Sequence, residues 1–234
     1  LGDVYKRQVL ERVKAKYPDL PMMLCSGGGG RSDYEALSYF TEFWPSDNTD
    51  PIERLFIQWG FSQVFPAKTM CAHVTTWNKN SSVKFRTDVA MMCKLGFDIK
   101  LADMSKDDET YCRTAVQNYN RLKPVVLEGD MYRLVSPYGS NHTSTMYVGK
   151  DKDKAVVFAF DIHPRYAEKT LPVRLQGLDA DKMYRVKEIN LMPGANSSLS
   201  GNGEVFSGEF LMNVGLNLFT TQQLNSRVVE VVAE

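Results

Sequence analysis

Along the first half of the chain, apolar positions alternate between helical and strand spacing. Val9, Leu10, Val13 and Tyr17 fall on one face of a helix that Pro18 stops. Met22, Met23, Leu24 and Cys25 form a short continuous apolar run, the pattern of a strand buried on both faces. Ser32 with Glu35 three residues later is a capping-box pattern and predicts a second helix. The segment from Asp50 predicts a third. Asp50 caps it, Pro51 suits its first position, Glu53 favours its positive end, and Ile52, Leu55, Phe56 and Trp59 form its apolar stripe. Residues 70–74 and 89–93 read as two further strands, and Ser105 with Asp108 caps a last helix through Tyr111, Ala115 and Leu122. Strands alternating with helices imply βα units and a parallel sheet.

Past Pro124 the pattern becomes strand-like. Runs at 131–134, 155–160, 173–175, 184–189 and 227–232 are short and β-prone, separated by turn-rich stretches such as 137–140 and 193–200. Such spacing predicts a small antiparallel β-sandwich. The chain therefore divides into an α/β module, residues 1–124, and an all-β module, residues 125–234. A complete (β/α)8 TIM barrel needs about 250 residues. The first module is thus expected to supply a partial barrel, about its last four βα units.

Composition adds mostly exclusions. Lys+Arg and Asp+Glu are balanced at 28 each, which argues against nucleic acid as the main partner. No apolar run approaches the roughly 18–20 residues that span a bilayer. Four cysteines without CxxC spacing and three scattered histidines give no clustered ligands, so neither a metal site nor a disulfide scaffold is expected.

Two segments carry candidate chemistry. Cys25 to Asp33 is a glycine loop directly after a predicted strand, where exposed backbone N–H groups let a ligand approach. It is not a Walker loop, because Arg31 and Ser32 follow the glycines in place of Gly-Lys-Ser/Thr. A structural turn and a ligand-facing loop are both open readings. In Trp44-Pro45-Ser46-Asp47-Asn48-Thr49-Asp50, Asp50 is explained as a helix cap. Asp47 has no such local role; a solvated turn and a sugar site, with an aromatic beside a carboxyl group, are the alternatives.

Together, Cys-Ser-Gly-Gly-Gly-Gly-Arg-x-Asp at Cys25 and Trp-x-Ser-Asp-x-x-Asp at Trp44, with Cys25 and Asp47 22 positions apart, resemble family 36 glycoside hydrolases. That family holds bacterial α-galactosidases and their plant galactosyl-transferring relatives. Arg54 to Gly60, Met70 to Val74, Arg86 to Gly96, Leu175 to Leu178, Tyr184 to Val186 and Ser207 to Leu216 extend the match, which runs from about Val9 to the end. Residues 1–8 do not match and are expected to be extraneous.

The resemblance implies hydrolysis of terminal α-galactosides, such as raffinose and melibiose, with retention of configuration. It makes Asp47 the acid/base, Trp44 a wall of the sugar pocket, and Cys25 and Gly28 the lining of the galactose site. Arg31 and Asp33 are placed at sugar contact or as a pair bracing the loop. The family's second Ser before its glycines is Gly27 here. Its nucleophile, the Asp of a Lys-Trp/Tyr-Asp-x-Asn strand, has no counterpart in this chain. Asp130-Met131-Tyr132-Arg133 lacks the Lys and Asn and is rejected. The chain is accordingly expected to be a carboxy-terminal fragment, inactive alone, whose cellular location is unreadable because any leader would precede it. Similar enzymes imply a homo-oligomer without metal or organic cofactor. Rival readings are a galactosyltransferase or an α-N-acetylgalactosaminidase on the same fold. Outside catalysis, the β module is a carbohydrate-binding or packing unit. All three Trp residues precede Pro124, which favours packing.

Overall fold

The computed structural model describes residues 2–25, 30–78 and 80–234. Helix α1 (Gly2–Lys16) leads into β1 (Met23–Cys25), and β2 (Glu42–Trp44) pairs with β1 in parallel. A parallel bridge from Phe43 to Met70 joins β2 to the entry of β3 (Cys71–Thr75). Helix α2 (Pro51–Phe61) connects them. Helix α3 (Val83–Ala90) leads to β4 (Lys94–Asp98), parallel to β3, and α4 (Lys106–Glu128) follows. The four strands thus lie side by side in chain order, an arc of parallel βα units with helices on one side.

Several local expectations change. On α1, Val9 and Tyr17 are exposed and only Leu10 and Val13 are half-buried, so the predicted apolar face is largely open. In β1 only Leu24 is buried; Met23 and Cys25 lie on its other, open face. Ser32 and Glu35 open no helix. The β1–β2 connection makes a single 3-10 turn, Ala36–Ser38, and the Asp33 carboxylate, not Ser32, accepts from its Ala36 N–H at 2.7 Å. After that turn Leu37 and Phe40 pack against the Leu24–Phe43–Phe65 cluster just before β2.

In α2 the cap is as expected, Asp50 Oδ1 accepting from Ile52 N–H at 2.9 Å and Glu53 N–H at 3.2 Å. Its fully buried residues, however, are Pro51, Arg54, Leu55 and Gln58, while Ile52, Phe56 and Trp59 are only half-buried. The strand expected at 89–93 is the end of α3 and the turn after it; β4 starts at Lys94. That apolar run is buried from every side, and uniform burial looks alike in a helix end and a central strand. Helix α4 starts at the predicted cap, Ser105 Oγ accepting from Asp108 N–H at 3.1 Å, and runs through Pro124 to Glu128. The change from helix to strand falls at Gly129.

The remaining chain forms one antiparallel sheet from β5 (Asp130–Val135), β6 (His142–Val148), β7 (Lys154–Asp161), β8 (Met183–Ile189), β9 (Val205–Ser207) and β10 (Asn225–Ala233), in the order β5-β6-β7-β10-β8-β9. A short helix, α5 (Gly208–Asn213), follows β9. Alternation along the central strands feeds two cores. Tyr147, Val156, Phe158, Phe160 and Val228 face α3 and α4, forming one cluster with Leu55, Phe85, Met91 and Leu122. Met146, Val157, Val186, Val229 and Val231 face the other way. No second sheet covers that second face among the described residues. An irregular layer carrying Leu175, Leu199, Leu211 and Leu218 does so, and its one bridge, Val173 to Leu216, is all that forms of the strand predicted at 173–175. The two-sheet sandwich is thus a six-stranded sheet under an irregular cover. Among the described residues, no helix is long and apolar enough to cross a membrane, and no group of three or more His, Cys, Asp or Glu is placed to hold a metal ion.

Candidate active site

Parallel register decides which side chains share the inner face of the arc. Cys25 pairs with Trp44, Cys71 with Lys94, His73 with Gly96 and Thr75 with Asp98. Leu24 and Phe43 point the other way, into the aromatic cluster with Phe65, and Ala72 and Val74 into the cluster that includes Phe85 and Leu122. The inner face therefore carries Met23, Cys25, Glu42, Trp44, Cys71, His73, Thr75, Lys94 and Asp98, a polar lining rather than a dry core. Glu42 and Lys94 form an ion pair across it at 2.6 Å.

At the carboxyl end of β2 the Trp44 indole N–H donates to Asp47 Oδ1 at 2.8 Å. Asp47 is exposed, yet this bond ties its carboxylate to a ring in register with Cys25. The ring itself is held on its inner side. Its centre lies 4.7 Å from that of His73 and 5.4 Å from the Arg54 guanidinium carbon. Arg54 is buried, and its N–H groups donate to Cys71 O at 2.6 Å, Ser46 O at 3.3 Å and Gln58 Oε1 at 3.3 Å. Gln58 in turn donates to Val89 O at 3.0 Å. Thus α2 reaches through the arc to fix the backbone at Ser46, just before Asp47, and at Cys71 on β3. The far end of the loop is fixed as well, with the Thr49 and Thr75 hydroxyls bonded at 2.9 Å. Burial lowers the pKa of His73, so its imidazole is neutral near pH 7. Burial pushes the Cys71 and Cys93 thiols up to about 12, and neither is a thiolate nucleophile.

Gly96 makes the His73 position possible. A Cβ there would stand 2.3 Å from His73 Cδ2 and 2.5 Å from its Nε2. Gly96→Ala is expected to push the ring off Trp44 and to cost about 1–3 kcal/mol, the usual range for overpacking. Urea unfolding of the variant beside the parent chain measures it, and an unchanged midpoint would show that the ring has room to move.

Of the residues singled out from sequence, Cys25, Trp44 and Asp47 come together. Gly28 lies outside the described residues. Arg31 and Asp33 are exposed and form no ion pair with each other among the described residues; they line a cavity of about 350 Å³ against α1, with Lys6, Arg7 and Tyr39. None of Cys25, Trp44 or Asp47 borders that cavity. Sequence reasoning gave no role to Arg54, Gln58, His73 or Gly96. The spacing of Arg54 and Gln58, one turn apart beside Leu55, was the available signal for a polar pair turned inward.

Comparison with known proteins matches residues 3–129 to the family model Melibiase and residues 142–231 to the glycosyl hydrolase family 36 C-terminal domain. The chain is 35% identical over 228 residues to alpha-galactosidase 2 of Hypocrea jecorina, covering 95% of this chain and 29% of that one. It superposes on the GH36 alpha-galactosidase AgaB of Geobacillus stearothermophilus with a TM-score of 0.86 at 29% identity, covering 97% of this chain and 30% of that one. A substituted AgaA of the same organism, in complex with raffinose, gives 0.85 at 28% identity, with the same coverage of both chains. The chain thus spans about 30% of the length of these relatives.

Proposed function

Because the chain belongs to the Melibiase family, the family 36 glycoside hydrolases, we propose that it is the carboxy-terminal part of a retaining α-galactosidase acting on raffinose- or melibiose-type sugars. Retaining hydrolysis needs two carboxyl groups about 5–5.5 Å apart, one attacking the anomeric carbon and one moving protons. Asp47 takes the second role. Protonated, it donates to the departing glycosidic oxygen as that bond breaks; as the carboxylate, it then removes a proton from the water that frees galactose. The observation that carries the reading is the 2.8 Å bond from Trp44 Nε1 to Asp47, on a ring in register with Cys25. That bond aims one carboxyl oxygen, and no hydrogen bond among the described residues engages the other. Cys25 and the Gly28 backbone line the galactose side in this proposal, with Arg31 and Asp33 bracing the loop that carries Gly28. The chemistry calls for no metal or organic cofactor. The resemblance alone suggests a homo-oligomeric full-length enzyme.

The nucleophile is proposed to come from a strand that this chain does not contain. The 234-residue chain should then show no turnover of p-nitrophenyl α-galactoside above background. Sustained hydrolysis by the purified chain, lost in Asp47→Ala, would place a complete carboxylate pair within it and overturn this part of the proposal.

A further inference from the structure

A second built site lies in the sheet half, away from the arc. His142, at the start of β6, is 2% exposed. Its Nδ1 lies 2.8 Å from Asp161 Oδ1. Asp161 is itself saturated by Thr220 N–H at 3.1 Å, Thr220 Oγ1 at 2.6 Å and Asn225 Nδ2 at 3.0 Å, so it acts as an acceptor and takes the bond from the Nδ1–H of His142. Its Nε2 is buried, has no hydrogen-bond partner among the described residues, and lies 3.7 Å from Glu168 Oε1, beyond hydrogen-bond reach. A buried ring nitrogen thus faces a carboxylate across a gap that no hydrogen bond closes, an arrangement that costs free energy unless a hydroxyl comes between them.

Glu168 is held in place by its own strap. Its carboxylate accepts from Arg165 N–H at 2.8 Å and from Asn141 Nδ2 at 3.1 and 3.2 Å. The preceding Ala167 sits at φ 57°, a left-handed conformation that a residue with a Cβ avoids. Strain of this kind persists where the surroundings impose it, often at ligand sites. His142 and Glu168 both line an open cavity of about 600 Å³. Strand-like alternation turns Val173 and Leu175 inward and Arg174 and Gln176 outward, where they supply donors to the same cavity. Leu171 and Phe219 supply apolar wall, and the Phe219 ring centre is 4.6 Å from that of His142.

We infer that this cavity is an accessory binding site for a neutral oligosaccharide, and that adjacent ring hydroxyls bond His142 Nε2 and Glu168. A vicinal diol brings two hydroxyls side by side, each able to donate or accept, as the two unjoined groups require. Arg174 and Gln176 serve the sugar's oxygens, and the apolar wall takes a C–H face. The Glu168 side chain is 25% exposed against 3% for His142, so a small outward swing of Glu168 opens Nε2 to the ligand. The inference does not depend on the role of Asp47, since no residue of the arc lines this cavity.

The test is a titration of the 234-residue chain with raffinose, followed by amide chemical shifts. Saturable shifts at Ala167, Gln176 and Phe219 are expected. Glu168→Gln places an amide, which can donate or accept, against Nε2 and satisfies it internally. That variant should unfold at a higher temperature and bind raffinose at least about tenfold more weakly, the worth of one hydrogen bond to a charged group. Gln176→Ala, on the exposed face, should also weaken binding without altering the fold. Shifts confined to Cys25 and Trp44, no saturable shift, or parental affinity in both variants would each overturn the inference.

Discussion

Asp47→Ala, made in a polypeptide that also supplies the rest of the barrel, is expected to lower turnover of raffinose by about 10²–10⁴-fold, the range for a lost general acid. The departing group there is a sugar alkoxide, which leaves only if protonated as the bond breaks. An activated aryl galactoside with a good leaving group should lose far less in its first step. Its second step, attack of water on the glycosyl-enzyme, would then limit the rate, because in the proposed mechanism the same carboxylate acts as base. The diagnostic quantity is the ratio of losses across leaving groups rather than any single rate. Equal losses for poor and good leaving groups would remove Asp47 from the proton-donor role. Trp44→Phe separates aiming from chemistry, since it deletes the N–H that bonds Asp47 at 2.8 Å and keeps an aromatic ring beside His73. It should reduce turnover less than Asp47→Ala while preserving the dependence on leaving group.

How much of this could be read from the chain follows from how local each feature is. The Asp50 cap and the Ser105 cap are written within four residues and appear as expected. Asp47 stood out through the resemblance of its Trp-x-Ser-Asp-x-x-Asp segment, since locally a solvated turn and a sugar site were both open. Strand β6 went unread because Thr143, Ser144 and Thr145 interrupt its apolar pattern. All seven of its residues are nevertheless buried, since it lies inside the sheet with both faces covered. The 89–93 run was assigned to the wrong element because its burial comes from tertiary packing, which flattens any period. His73 and Gly96 are 23 positions apart and meet only through the β3–β4 register, which no local pattern encodes. The same holds for Cys25 and Trp44. Their motifs were recognisable together, but their adjacency is a property of the parallel pairing.

Asp88→Ala is expected to destabilise the chain by about 3–5 kcal/mol, the range for stranding the partners of a buried charge. Asp88 is fully buried on α3, and four donors from four places converge on it. They are Lys84 Nζ at 2.5 Å one turn earlier, Tyr111 OH at 2.8 Å on α4, Asn190 Nδ2 at 3.1 Å just after β8, and Ser226 Oγ at 2.7 Å on β10. Burial and the adjacent Asp88 charge raise the Tyr111 pKa well above the usual phenol value, so that hydroxyl stays protonated and donates. Asn190 holds a left-handed conformation (φ 58°), tolerated better by Asn than by most residues, and receives a second bond from Asn118 Nδ2 at 2.7 Å. One carboxylate therefore joins two helices of the arc to two strands of the sheet, in the middle of a continuous apolar cluster. Removing it takes the shared acceptor from an ammonium, two hydroxyls and an amide in a dry interface. Asp88→Asn keeps an acceptor oxygen but turns an amide N–H₂ toward some of those donors, and should lose about 1–3 kcal/mol. Urea unfolding followed by circular dichroism and by tryptophan fluorescence tests both the magnitude and its cause. The arc contains every Trp, while circular dichroism also reports the sheet, so coincident transitions in the parent chain would show the two unfolding as one unit. Asp88→Ala should shift both midpoints together or split them. A loss below about 1 kcal/mol, the net worth of one ordinary hydrogen bond, would mean that the apolar cluster alone holds the sheet to the helices.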